Sequence, residues 1–304
     1  MSLFFHSARV DLERIAAELI SLSDDELSGL IRSGAILNKP AFAMGRSMDL
    51  AAFYAPFEWI NEDADIVILG VTPGKQQAKA ALAKLRKELR TGRSLPSAMQ
   101  VAKEEASFAG KMRTIASRLM DHFHMNDLFG LPSTSALFGQ SRNRVHYTSV
   151  YRYPVLRRER AGWGNYPGVV SRKNQKNPLL RSMVRDYLIP ELKMLPSAWL
   201  VPFGPTPATV LTALADQGIV DGSRLLVGLN HPSGTQWNRH KCQLDLVDHS
   251  QCARNVGCQT IQRRSERLSR MISRHLGGCE AHSWTGRSDL QPNRWPGVRA
   301  TKFV

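Results

Sequence analysis

The sequence predicts an α/β chain, a three-layer α/β/α sandwich around a central, mostly parallel sheet of four strands. Three observations carry that expectation. Four short apolar runs, at 66–69, 145–150, 199–201 with Phe203, and 225–227 with Leu229, are continuous rather than alternating, as in strands covered on both faces. Stretches of helical period separate them, at 78–90, 111–123, 179–195 and 207–215. The chain has 304 residues, 42% of them hydrophobic, which is enough for a sizeable core.

Taken in order, residues 1–60 read as a helical segment. Ser23-Asp-Asp-Glu26 has the form of a capping box and opens a helix through Leu27, Leu30 and Ile31. Residues 51–60 are rich in aromatics and are expected to pack on the next element. An α/β domain follows over 61–245, interrupted at 75–105 by a basic helical insertion with Lys75, Lys79, Lys84, Arg86, Lys87, Arg90 and Arg93. Residues 246–304 form a basic extension whose helix carries Arg263, Arg264, Arg267, Arg270 and Arg274. The chain shows no internal repeat.

Lys and Arg number 41 against 26 Asp and Glu, a formal net charge of +15 with a pI near 10.1. Such a surface attracts polyanions, and nucleic acid is the commonest of them. Nothing approaches the roughly 18 apolar residues of a membrane span, and lipidation signals are missing. Asp11, Glu13 and Glu18 interrupt the N-terminal apolar stretch, so it does not read as a signal peptide. A cytoplasmic monomer that binds DNA and no membrane is the expectation. Cys242, Cys252, Cys258 and Cys279 lack a short Cys-x2-Cys hook and read as ordinary reduced thiols, with no metal and no cofactor assigned. His249, His275 and His282 lie among them, which leaves a metal site as the alternative.

Ligands of open parallel sheets bind beyond the carboxyl ends of the strands. There the first strand runs into Gly70-Val-Thr-Pro-Gly74-Lys, a tight turn whose backbone can approach a ligand closely. The last runs into Asn230-His-Pro-Ser-Gly234, which presents an imidazole and a hydroxyl on a stiff loop.

These two tags resemble the first and last motifs of the uracil-DNA glycosylase superfamily. Between them, Phe108-Ala-Gly110 is similar to the Phe-Val-Gly of the thermostable branch, whose ring stacks on the flipped base. Thr148-Ser-Val-Tyr-Arg152 with Pro154 is similar to that branch's Thr-Asn-Val-Val-Lys. Tyr187-Leu-x-Pro-Glu191, Pro196 and Leu200-Val-Pro-Phe-Gly204 resemble the helix and strand before the last motif. The likeness spans roughly residues 64 to 245. It implies a base-binding set of Gly70, Val71, Pro73, Gly74, Phe108, Ser149, Asn230 and Ser233. His231 would donate a hydrogen bond to the departing base.

The departures carry their own expectations. Thr72 and Val71 stand where other branches hold an acid or amide, so the water is assigned to Thr72 or to an acid from elsewhere, Asp127 or Asp245. Ser149 replaces the Asn that reads uracil, which predicts a modified base, such as glucosylated hydroxymethylcytosine of phage DNA, as the excised group. The cluster cysteines of the thermostable branch have no counterparts. Phosphate contacts are expected from Lys75, Arg152 and Arg239, with Arg142, Arg144, Arg157, Arg158, Arg160, Arg172 and Lys173 as further candidates. Gln236 or Trp237 could wedge into the gap left by the flipped nucleotide. The competing readings are a repair glycosylase for uracil, mismatches or hypoxanthine, and a DNA-binding protein of the same fold without catalysis.

Overall fold

A computed structural model describes residues 11–168 and 176–277, and the chain is α/β. Arg172, Lys173, Cys279 and His282 lie outside the described residues. The chain opens with helices α1 (Leu12–Ser21) and α2 (Asp24–Ser33). The α2 capping box is reciprocal: the Glu26 N–H donates to Ser23 Oγ at 3.2 Å, and the Ser23 N–H donates to Glu26 Oε2 at 2.7 Å. Gly34, at φ +83°, ends this helix, and a Cβ there would stand 2.8 Å from the Trp163 side chain. Strands β1 (Ala43–Ser47) and β2 (Leu50–Phe53) follow, then β3 (Ile66–Gly70).

Helices α3 (Lys75–Arg90), α4 (Leu95–Ala106), α5 (Lys111–His122) and α6 (Met125–Leu128) lead to β4 (Val145–Ser149). After it come β5 (Val155–Glu159) and β6 (Gly162–Asn165). Helices α7 (Pro178–Met183) and α8 (Ile189–Lys193) are joined by a π-turn, Val184–Leu188. Pro190 has no N–H to give to the Asp186 carbonyl, and the wider turn accommodates that loss. The chain closes with β7 (Trp199–Pro202), α9 (Pro205–Asp216), α10 (Trp237–Gln243) and α11 (Cys258–His275).

The expected parallel sheet is present, in the order β4-β3-β7. β3 pairs in parallel with both neighbours, Gly70 opposite Ser149 and Leu69 opposite Pro202. The fourth run forms one parallel bridge, Leu200 to Leu225, rather than a strand. The run stays beside β7, the Leu226 N–H donating to the Leu200 carbonyl and the Gly204 N–H to the Leu229 carbonyl, both at 2.9 Å. Gly228 at φ +150° interrupts the extended backbone between these bonds. Within β3, Val67 and Leu69 pack with α1 to α4 and α7 to α9, whereas Ile66 and Ile68 pack with α5, α6 and α11. Helices therefore cover both faces, which explains the continuous apolar runs.

A second, antiparallel sheet, β1-β2-β5-β6, departs from the sequence expectation. Of the described residues 11–60, only those up to Asn38 are helical, and β1 and β2 pair onwards to β5. Thr72 ties this sheet to the parallel one: its hydroxyl donates to the Tyr153 carbonyl at 2.8 Å and accepts from the Val155 N–H at 3.0 Å. The second sheet consequently flanks the carboxyl edge where the candidate site lies.

Candidate functional site

The turn after β3, the end of β4 and the residues before α5 form a cleft at that carboxyl edge. Its volume is about 290 Å³ including the open mouth, and its walls include Phe57, Pro73, Phe108, Thr148, Ser149 and Arg152. Gly70, Phe108 and Ser149, far apart in sequence, meet here. A Cβ on Gly70 would lie 3.5 Å from Ser149 Oγ and 3.6 Å from Phe108 Cζ, ordinary contact distances that place the ring directly against the turn. Phe108 is held at φ +51°, a conformation uncommon outside glycine. Tilted contacts with Tyr147 at 6.2 Å and Phe203 at 5.9 Å fix its ring.

One strand further on, His231 packs against Gly204, where a Cβ would stand 3.2 Å from His231 Cβ. Gly204, at φ +97°, donates its N–H to the Leu229 carbonyl at 2.9 Å and so brings the His-Pro-Ser loop beside β7. Burial, helped by His240, pushes the His231 imidazole down to about 4, so it is neutral at pH 7. His231 is not among the residues that line the cleft; it reaches that region through Gly204 and Phe203.

Several expected roles are corrected. Arg152 is no surface phosphate contact: it is 3% exposed, and its guanidinium donates to Glu191 Oε2 at 2.8 Å. Lys75 is engaged as well, its ammonium donating to the carbonyls of Arg32 and Trp163. The Asn230 amide does not face a base. It donates to the Arg239 carbonyl at 3.1 Å and accepts from Arg264 at 3.0 Å, tying the loop to α10 and α11. Thr72 commits its hydroxyl proton to Tyr153, which leaves at most one lone pair for a water.

Asp127 pairs with His124 at 3.0 Å. The nearby Phe129 carbonyl accepts from Arg144, which immediately precedes β4, so Asp127 lies at the amino edge. Five strand residues at about 3.3 Å each separate it from the cleft. Asp245 bonds His249 at 2.8 Å and faces His122 at 3.4 Å, so it does not serve as the acid. Ser233 Oγ lies 2.8 Å from Thr235 Oγ1. Gln236 and Trp237 are half-buried and Arg239 is exposed.

Behind the cleft wall lies an ionic network that no motif of the sequence announces. Glu191 receives Arg152, His146 Nε2 at 2.5 Å and Lys103 Nζ at 3.7 Å. Burial alone would raise its carboxyl, but Arg152, Lys103 and the His146 bond outweigh that and hold it well below the ordinary carboxylate range. The Asn61 N–H donates to His146 Nδ1 at 3.2 Å, so the ring proton sits on Nε2. Burial drives this imidazole down to about 4, and the proton shared with Glu191 belongs to a neutral histidine.

Glu58, buried beside this network, accepts from Tyr153 Oη at 2.9 Å, and burial raises its carboxyl to about 7. Burial also lowers the Lys103 ammonium to about 8. Arg152 Nε and Glu58 Oε2 are buried with no hydrogen-bond partner among the described residues. The wall therefore holds a permanent cation paired with the Glu191 carboxylate, and beside that pair a second buried carboxyl, Glu58, that titrates near neutrality. Spacing along the chain gives no sign of this, because Glu58, Lys103, His146 and Glu191 come from four separate segments.

Fold and cleft together define the class: an α/β protein with an aromatic, cation-backed cleft at the carboxyl edge of a parallel sheet. The chain is 32% identical over 202 residues to "Uncharacterized protein YoxB" of Bacillus subtilis (strain 168), an alignment covering 66% of this chain and 77% of that protein. It belongs to the family of that protein. No protein-family model matches the chain, and no solved structure matches it significantly.

Proposed function

We propose that this protein is a DNA glycosylase that hydrolyses the N-glycosidic bond of a flipped-out, modified base and leaves an abasic site. The observation that supports it best is the meeting of Phe108, Gly70 and Ser149 in one cleft at the carboxyl edge of the sheet, backed by Arg152. A ring fixed over a glycine makes a platform for a planar base. One base ring stacks on Phe108 in this reading, with a bulky 5-substituent such as the glucose of glucosylated hydroxymethylcytosine projecting through the mouth. In this reading the two helical covers and the parallel sheet, with residue 225 as the start of a fourth strand, are the α/β/α sandwich of the uracil-DNA glycosylases.

The bond between C1′ and the base nitrogen breaks with its electron pair on the base. Hydrogen bonds to the base as its charge develops lower that barrier. Neutral His231 has an N–H to give, and Arg152, a cation lining the cleft, favours negative charge developing on the base. Water then adds at C1′ and loses a proton, and the departed base takes one up, so that neutral base and abasic sugar remain. A dissociative route asks little of that nucleophile.

A non-catalytic DNA-binding protein is the second reading, favoured by the lack of any acidic side chain among the cleft-lining residues. Purified protein incubated with unmodified, uracil-containing and glucosylated phage DNA, scored for abasic sites by alkaline cleavage, separates the two. Cleavage of the modified DNA alone is expected, with His231→Ala slower by about 10²–10³-fold. Binding without cleavage of any of the three would establish the second reading. Cleavage of uracil DNA would make the protein a repair enzyme.

A further inference from the structure

We infer that Cys242, His249, Cys252 and Cys258 form a structural zinc site. The four residues come from the last residues of α10, the short turns after it and the first residue of α11. Their ligand atoms all lie within 4.8 Å of one another. Cys242 Sγ is 3.2 Å from Cys258 Sγ and 3.7 Å from His249 Nδ1, and His249 Nδ1 is 3.2 Å from Cys258 Sγ. A zinc ion bound at about 2.3 Å to sulfur and about 2.0–2.1 Å to nitrogen has tetrahedral edges of about 3.4–3.8 Å. The observed edges need only small rotamer adjustments to match. A disulfide does not fit, since its sulfurs would stand about 2.05 Å apart. Iron–sulfur clusters do not fit either, because their cysteines surround several atoms and these four residues close around one point.

A further feature points to a metal rather than to packed thiols. His249 turns Nδ1 to the sulfurs, and its other nitrogen, Nε2, bonds Asp245 Oδ1 at 2.8 Å. A metal-bound histidine characteristically gives its second N–H to a carboxylate, which fixes the ring and its tautomer. Asp245 is held for this task at φ +51°. The apolar filling here is slight: among the described residues, Val256 and Ile261 are the only buried ones besides Cys242 in this cluster. A patch that small gains most of its stability from a cross-link.

With three thiolates and one imidazole the set is closed, leaving no open position for chemistry. Its consequence is mechanical. α10 carries Gln243, whose side chain accepts from the Asn230 N–H at 2.7 Å, and α11 carries Arg264, which donates to the Asn230 side chain. Clamping α10 to α11 therefore fixes the Asn230-His231 loop from behind.

The test uses the full-length chain, purified without added chelator, with metal content read by elemental analysis. Stoichiometric zinc is expected. Exchange for Co(II) should give tetrahedral d–d bands with thiolate charge-transfer absorption. His249→Cys should retain the metal and shift the d–d bands to lower energy. Asp245→Asn should keep the cobalt spectrum and weaken zinc binding about 10-fold or more. Failure of the reduced chain to hold zinc or to take up Co(II) would overturn the assignment, as would a native Cys242–Cys258 disulfide. An unchanged cobalt spectrum in His249→Cys would remove His249 from the ligand set.

Discussion

Arg152 shows how one residue's meaning depends on what stands behind it. In the sequence it is one more arginine beside a strand, yet in the fold it balances the Glu191 carboxylate and lines a cleft. Arg152→Met removes the cation from a buried carboxylate and should destabilise the protein by about 3–5 kcal/mol. A denaturant titration reads this directly. Replacing an exposed, phosphate-binding arginine would cost well under about 1 kcal/mol, so an unchanged midpoint would sink the buried-pair account. Ser149 and Phe108 behave in the opposite way. Their places were legible because each sits at a fixed offset from a strand end or a glycine, and backbone geometry then decides where the side chain lies.

At the scale of elements, continuous apolar runs made β3, β4 and β7 easy to find, and helical period did the same for α3, α5, α9 and the helix over 178–193. The antiparallel sheet was hidden for physical reasons. β1 exposes most of its length and reads Ala-Met-Gly-Arg-Ser, while β6 reads Gly-Trp-Gly-Asn, so neither carries an apolar alternation. The proposed metal ligands were legible only as the alternative to ordinary thiols, because no two cysteines form a short hook, whereas the hook here is His249-x2-Cys252. Charge was legible in amount but not in place. Arg86 and Arg90 of the basic insertion reach back to the Leu22 carbonyl and hold the N-terminal helices.

α11 is where the surplus charge stays in solvent. Ile261, Leu268 and Ile272 form its buried stripe, and Arg263, Arg267, Arg270 and Arg274 are exposed at three- and four-residue spacing. The two stripes are offset by about 200°, nearly opposite faces of the helix. If this face binds DNA, the variant Arg263→Glu, Arg267→Glu, Arg270→Glu should lower the salt slope of DNA binding by about 0.9 for each phosphate that is no longer neutralised. Thermal stability should stay nearly unchanged. An identical salt slope in fluorescence anisotropy would remove α11 from the DNA surface.

For the whole molecule, buried titratable groups write a pH dependence into stability. Glu58 has a folded value of about 7, above its ordinary 4.5, so it favours the folded state at low pH and that contribution is lost as pH rises through 7. His146 and His231, lowered to about 4, act the other way: their contribution is present above about 6.5 and lost as pH falls towards 4. The two trends oppose each other between about pH 4.5 and 7, which flattens the stability curve of the native protein. Glu58→Gln deletes one side of that balance. Its stability should climb more steeply from pH 5 to pH 7 than the native protein's, by on the order of 2–3 kcal/mol over the window. Melting temperatures at pH 5, 6, 7 and 8 read the difference, and parallel curves would show that Glu58 titrates normally.

The position of β3 also has a consequence for how the chain is made. It is the central strand of the parallel sheet, yet both its partners, β4 and β7, lie far downstream. On a ribosome adding about 5–20 residues per second, β3 waits roughly 4–15 s for its first neighbour and longer for its second. During that interval Ile66-Val-Ile-Leu69 offers two unpaired backbone edges with apolar side chains on both faces, the kind of segment that joins other chains. The helices α3 and α4 emerge in the meantime and can cover one face. The other face stays bare until α5 has been made, so newly synthesised chains are most exposed to aggregation, and most suited to capture by a chaperone, before that helix emerges.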